Sequence, residues 1–116
     1  MKLFITGAGG LLGSRVAEIA VEKGYTVYSA YLTHLPSVGH PIRVDVTDKE
    51  RVSKVIGSTK PDVIIHCAAL TNVDLCEMER ELALRVNMKG AKNIAEAAKE
   101  NNAYLVYVST DYVFDG

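Results

Sequence analysis

No stretch of this 116-residue sequence stays apolar for long. A membrane-spanning helix needs roughly 18 to 20 such residues, so no membrane partner is expected. Neither sign of charge predominates: 13 Lys and Arg stand against 14 Asp and Glu, a formal net charge of −1. With no long basic run either, the chain lacks the electrostatic footprint of a nucleic-acid binder. Cysteine is scarce. Cys67 and Cys76 are spaced to fit no common zinc or redox motif and are expected to be reduced packing residues rather than a disulfide. Asp74, Glu77 and Glu79 form a small acidic group that reads as a solvated face, and no metal site is anticipated. The start, Met1 to Gly7, is too short an apolar run for a signal peptide and reads as an opening strand. A soluble, cytoplasmic protein is the expectation. Internal repeats, low-complexity tracts and linkers are also missing.

What is present is a core. Hydrophobic residues make up 48% and charged residues 23%, enough for one compact domain. Apolar segments alternate between two periods along the chain. Lys2 to Thr6 reads as a strand, and Leu12, Val16, Ile19 and Ala20 share one face of a helix that Gly24 stops. Tyr25 to Tyr31 is β-branched and aromatic, the second strand; after a polar loop, Ile42 to Val44 is a short third. Thr47 or Asp48 caps a helix to about Ile56, with Val52, Val55 and Ile56 inward. Asp62 to Cys67 is composed like a strand buried on both faces. A long helix from about Glu79 to Asn101 presents Ala83, Val86, Asn87, Ala91, Ile94 and Ala98, and Ala103 to Val108 is a fifth strand. Strands joined by helices in this way imply a doubly wound parallel sheet, cut off after its fifth strand.

Between the first strand and the first helix lies Thr6-Gly7-Ala8-Gly9-Gly10-Leu11-Leu12-Gly13. Gly7 suits a sharp turn, Gly10 leaves the backbone open to a pyrophosphate, and Gly13 lets the helix pack close. The helix N-terminus then offers free N–H groups and a positive dipole end. In this strand–turn–helix context the reading is a dinucleotide-binding, Rossmann-type α/β domain over residues 1–116. NAD-selective domains place an Asp or Glu at the end of the second strand. That place falls near Tyr31, where neither a carboxylate nor an arginine stands. The cofactor is therefore expected to be NADP or NAD, with a lean away from strict NAD selectivity.

Three further strings follow the third, fourth and fifth strands: Val44-Asp45-Val46, His66-Cys67-Ala68-Ala69, and Val108-Ser109-Thr110-Asp111-Tyr112-Val113-Phe114-Asp115-Gly116. Together with the glycine turn, they resemble the extended short-chain dehydrogenase/reductase family over the whole chain. The last string is the most specific, and it is most like the dTDP-4-dehydrorhamnose reductase branch. The chain is also similar to the non-catalytic regulatory subunit of methionine adenosyltransferase. The resemblance implies that Gly7, Gly10, Leu11 and Leu12 hold the pyrophosphate. Asp45 and Val46 would flank the adenine, the carboxylate accepting from its exocyclic amine and the next backbone N–H donating to the ring. Ala68, Ala69 and Leu70 would border the nicotinamide-side ribose, and Val108 the nicotinamide. Thr110 matches the Ser/Thr of the family's catalytic triad, bonding the substrate's C4 carbonyl, and Asp111 would touch the sugar. Asn87, on the long helix, needs an internal partner; a structural hydrogen bond and a part in proton transfer both stay open.

The family's chemistry also needs a Tyr-x-x-x-Lys pair, the tyrosine as acid and the lysine lowering its pKa. Four residues after Tyr25, Tyr28, Tyr31, Tyr104, Tyr107 and Tyr112 come Ser29, Leu32, Leu35, Val108, Asp111 and Gly116. None is a lysine. The expectation is the amino-terminal part of an NAD(P)H-dependent sugar-nucleotide reductase, the 116 residues alone being inactive. A regulatory subunit or nucleotide sensor of the same fold is the alternative. A dTDP-sugar substrate and a homo-oligomer belong to the complete protein.

Overall fold

The structure, a computed structural model of the chain, describes residues 1–67 and 77–108, apart from the side chains of residues 77–80 and 83. Strands and helices alternate: β1 (Lys2–Thr6), α1 (Leu11–Glu22), β2 (Thr26–Tyr31), β3 (His40–Arg43), α2 (Lys49–Thr59), β4 (Val63–Cys67), α3 (Glu77–Glu100) and β5 (Tyr104–Val108). The strands form one sheet in the order β3-β2-β1-β4-β5, and every neighbouring pair runs parallel. Side chains alternate along a strand, so central β1 feeds both faces. Leu3 and Ile5 meet Ala17 and Ala20 of α1, while Phe4 meets Val52, Val55 and Ile56 of α2 and Ile94 and Ala98 of α3. This is the doubly wound, Rossmann-type sheet that the sequence pattern predicts. Each large side chain fully buried in it, among them Phe4, Ile5, Ile56 and Ile64, contributes about 1.5–3 kcal/mol.

Several expectations shift. β3 begins at His40 rather than Ile42, because its register with β2 runs from Tyr28↔His40 to Tyr31↔Arg43. Pro41 is tolerated there since β3 lies at the sheet edge, where a missing N–H breaks no ladder. Asp48, not Thr47, caps α2, its side chain accepting from the Arg51 N–H. On α1 the buried residues are Gly13, Ala17 and Ala20, and Ile19 is exposed. Small residues line the contact because the helix lies close to the glycine turn. On α3 the buried stripe is Gly90, Asn93, Ile94, Ala97 and Ala98, whereas Val86 is exposed and Asn87 and Ala91 are half-buried. The reason is position: Val86 and Asn87 lie toward the start of α3, where they border a cavity beyond the sheet rather than the core. On β4, Ile64 and His66 are buried on one face, while on the other Cys67 is buried and Val63 and Ile65 are half-buried. No helix among the described residues is long and apolar enough to cross a membrane.

Candidate functional site

The turn from β1 to α1 is built by backbone geometry. Gly7 adopts φ +64°, a left-handed conformation that disfavours any side chain. Its carbonyl accepts from the Gly10 N–H at 3.0 Å, and the Ala8 N–H reaches the Ala30 carbonyl of β2 at 3.0 Å. A Cβ at Gly13 would run into the Gly7 carbonyl, and one at Gly9 into the backbone carbonyl of His34 in the loop after β2. Two of the glycines are thus required by the protein's own packing.

Gly10 is different. Its φ of −86° and ψ of 178° suit any residue. A Cβ there would meet only the Gly7 carbonyl oxygen, at 3.4 Å. Gly10 is also the N-cap of α1, with no side-chain cap and no acidic residue in the first turn. The N–H groups of Leu11, Leu12 and Gly13 therefore open α1 without an intrahelical or side-chain acceptor among the described residues. Leu11 is 90% exposed beside them. A bare helix N-terminus reached over a side-chain-free residue suits an anion.

Beside the turn, at the carboxyl ends of β1 to β4, a cavity of about 210 Å³ opens. Thr6 and Gly7 lie on one side of it, Ala30 and Tyr31 at the end of β2 on another, and Val86 and Asn87 close it from α3. The segment after β3 forms the remaining wall with Asp45, Val46 and Thr47. Asp45 Oδ1 accepts from the Thr47 N–H at 3.0 Å and from the Thr47 hydroxyl at 2.7 Å. These two bonds, with the nearby charges of Lys89 and Arg43, hold its carboxyl below the usual range, so it is ionised at neutral pH. Val46 is held from α3: its carbonyl accepts from the Asn93 side-chain amide at 2.9 Å.

At the cavity's other end, Thr6 Oγ1 accepts from the Cys67 N–H at 3.0 Å and lies 2.6 Å from His66 Nδ1. Burial pushes the His66 pKa down, favouring the neutral ring. With the Thr6 hydroxyl donating to Nδ1, the ring proton sits on Nε2. The same ring stacks on Tyr107 of β5 at a centroid separation of 5.3 Å. Cys67 is buried and unpaired with another cysteine, and burial raises its thiol pKa, so it is an inert thiol at neutral pH.

Of the residues singled out from sequence, Gly7, Asp45 and Val46 border the cavity, and Gly10, Leu11 and Leu12 stand at the adjoining helix start. Val108 ends β5 in register with Cys67, half-buried and outside the cavity wall. Ala68, Ala69, Leu70, Thr110 and Asp111, like Cys76, lie outside the described residues. Sequence reasoning overlooked Asn93, one position before the core residue Ile94. It also overlooked Arg43. Register places Arg43 beside Tyr31, and its Nε donates to the Leu32 carbonyl at 3.2 Å, so a guanidinium does stand at the end of β2.

The family described as the RmlD substrate binding domain matches residues 1–116. The dTDP-4-dehydrorhamnose reductase of Aggregatibacter actinomycetemcomitans is 44% identical over 116 residues, covering 99% of this chain and 36% of the relative. Methionine adenosyltransferase 2 subunit beta of Mus musculus is 36% identical over 116 residues, covering 99% of this chain and 34% of that protein. Among solved structures, the Bacillus anthracis dTDP-4-dehydrorhamnose reductase in complex with NADP is 40% identical with a TM-score of 0.77. That match covers 99% of this chain and 38% of the other. The chain thus spans about a third of the length of the curated relatives it matches.

Proposed function

This chain belongs to the family described as the RmlD substrate binding domain, and from that premise we propose that it forms the dinucleotide-binding part of an NAD(P)H-dependent sugar-nucleotide reductase. The reaction is reduction of the C4 ketone of a dTDP-4-keto-6-deoxysugar, the bound cofactor supplying hydride. Although the family is named for substrate binding, the glycine turn between β1 and α1 supports a nucleotide-binding role for these residues. The observation that carries the reading is Gly10, where nothing in the protein's packing or backbone calls for glycine. A ligand passing over it does.

In this reading the N–H groups of Leu11 and Leu12 bind the pyrophosphate, with Gly7 shaping the turn and Gly10 clearing the approach. Asp45, ionised, accepts from the adenine amine while the Val46 N–H donates to the ring. Arg43, at the end of β2, is placed to meet a 2′-phosphate, which favours NADP over NAD. Ala68, Ala69, Leu70 and Val108 border the nicotinamide half. Thr110 donates to the substrate's C4 oxygen, stabilising charge that develops there, and Asp111 binds the sugar. The proton delivered to that oxygen needs an acid that these 116 residues do not provide as a Tyr-x-x-x-Lys pair.

The test is NADPH titration of the full-length protein together with turnover of the keto-sugar. Saturable binding that weakens on Gly10→Ser, with NADPH oxidation on adding dTDP-4-keto-6-deoxysugar, supports the proposal; absence of binding to the wild type overturns it. The similarity to methionine adenosyltransferase 2 subunit beta supports a second reading, a nucleotide-binding regulatory subunit. Binding without turnover, in a full-length protein lacking the Tyr-x-x-x-Lys pair, would decide for that.

A further inference from the structure

Asn93 is among the few buried polar side chains, 6% exposed on a stripe otherwise made of small and aliphatic residues. Burying an amide there costs stability unless it is hydrogen-bonded. Its Nδ2 donates to the Val46 carbonyl at 2.9 Å. One turn earlier on α3, a Cβ at Gly90 would come within 2.6 Å of Val46 Cγ2, so the glycine leaves a slot that the Val46 side chain fills. Two positions on α3 therefore act on one residue of the cavity wall, one holding its carbonyl and the other its side chain.

The consequence reaches Asp45 through a single peptide plane. The 46–47 peptide is held at both ends: its carbonyl by Asn93, and its N–H by Asp45 Oδ1 at 3.0 Å. The Thr47 hydroxyl takes the same Oδ1 at 2.7 Å. Both bonds to the carboxylate thus fall on one oxygen. Among the described residues, Oδ2 accepts nothing and the Val46 N–H donates to nothing. An acceptor and a donor on adjacent residues of the cavity wall are thus left unpaired, both flanking the peptide plane that Asn93 holds. Adenine presents the complement, an amine donor next to a ring-nitrogen acceptor. Hypoxanthine presents the reverse, a carbonyl next to a ring N–H.

We propose that Asn93 and Gly90 are positioning residues that set adenine selectivity, by locking Val46 and through it the Asp45 carboxylate. Neither touches the base. The inference rests on the reading of Asp45 and Val46 as the adenine edge of a dinucleotide site. It makes α3 responsible for which base is accepted, independently of the phosphate contacts at the glycine turn.

The experiment compares binding of NADPH and of its hypoxanthine counterpart to the full-length protein, as wild type, Asn93→Ala, Gly90→Ala and Asn101→Ala. Wild type should prefer adenine by about tenfold or more, one misplaced pair of hydrogen bonds being enough for that. Asn93→Ala should collapse the preference to within about threefold, since the carboxylate and the N–H lose their fixed relation. Gly90→Ala should do the same by pushing Val46 from the other side. Alanine is the better helix former, so a purely helical effect would act in the opposite direction. Asn101 also donates its amide to a carbonyl, that of Ala97 at 2.8 Å. It lies at the far end of α3, and its variant should lower stability while leaving the preference intact. Should Asn93→Ala fail to fold, Gly90→Ala decides alone. A wild type that discriminates while both variants keep its ratio overturns the proposal and leaves the dinucleotide site standing. A wild type that binds both dinucleotides equally overturns the adenine assignment and the proposal together, and one that binds neither overturns the dinucleotide reading itself.

Discussion

Replacing Gly10 with serine should make the protein more stable and a worse binder at once. The backbone at Gly10, φ −86° and ψ 178°, accepts an L-residue without strain, and a Cβ there meets only one oxygen at 3.4 Å. Removing a glycine from such a position lowers the entropy of the unfolded chain and is worth about 0.4–1 kcal/mol. Serine is also a preferred N-cap: its hydroxyl can accept from the N–H two or three residues on, adding a few tenths of a kcal/mol over glycine. A gain of roughly 0.5–1.5 kcal/mol follows, about 2–6 °C in melting temperature for a domain of this size. Yet the same hydroxyl now occupies N–H groups offered to the pyrophosphate and fills its approach. Loss of one charge-assisted hydrogen bond, about 1.5–3 kcal/mol, weakens NADPH binding by roughly 10- to 100-fold. Denaturation and calorimetric titration on the same sample read the two effects. Gly13→Ala is the counterpart: its Cβ overlaps the Gly7 carbonyl, and overpacking against backbone should cost about 1–3 kcal/mol of stability. If Gly10→Ser destabilises by more than about 1 kcal/mol, or binds NADPH as wild type does, then the protein itself needs glycine there or the ligand does not pass over it.

Thr47→Val removes the hydroxyl that contributes most to lowering the Asp45 pKa, so the carboxyl should titrate closer to the ordinary aspartate value of 3.8, seen by side-chain NMR. A depressed folded-state pKa means that this contribution to stability is present above 3.8 and lost as pH falls through the folded value, so the variant should lose less on acidification. His66, whose folded pKa lies below 6.5, should make stability fall as pH drops beneath that value, because only the unfolded chain takes up the proton. His66→Gln should flatten that part of the stability–pH curve, and an unchanged slope would mean another group is responsible. Arg43→Ala should weaken NADPH by about tenfold, the loss of one charge-assisted phosphate contact, and leave NADH unchanged; equal losses for both would remove Arg43 from the 2′-phosphate.

What was legible in the sequence is what depends on one segment at a time. The glycine turn between Thr6 and Leu11 declares itself because strand, turn and helix signals follow in order, and the bounds of β1 match residue for residue. Val52, Val55 and Ile56 were readable as the inward face of α2 by spacing alone. The stripes of α1 and α3 were misjudged where a neighbour, not the helix, decides. Ile19 has the right period, but the close approach of α1 leaves room only for Gly13, Ala17 and Ala20.

Arg43 and Asn93 share a deeper cause. Along β2 itself Tyr31 has no charged neighbour, whereas the charge arrives from the adjacent strand through the Tyr31↔Arg43 register. A parallel register joins residues that no local pattern relates, since the connection between the strands is irregular. Likewise Asn93 matters because α3 lies beside the segment after β3, bringing its amide to a carbonyl 47 positions earlier in the chain. In a doubly wound sheet the ligand-facing edge is assembled from the carboxyl ends of successive strands. Each strand therefore announces its own contribution in sequence, while the residues that aim those contributions come from whichever element the sheet order places next to them. The turn at Asp45 to Thr47 shows both halves: its acid is readable as a motif, and its orientation is owed to a helix that begins 30 residues later.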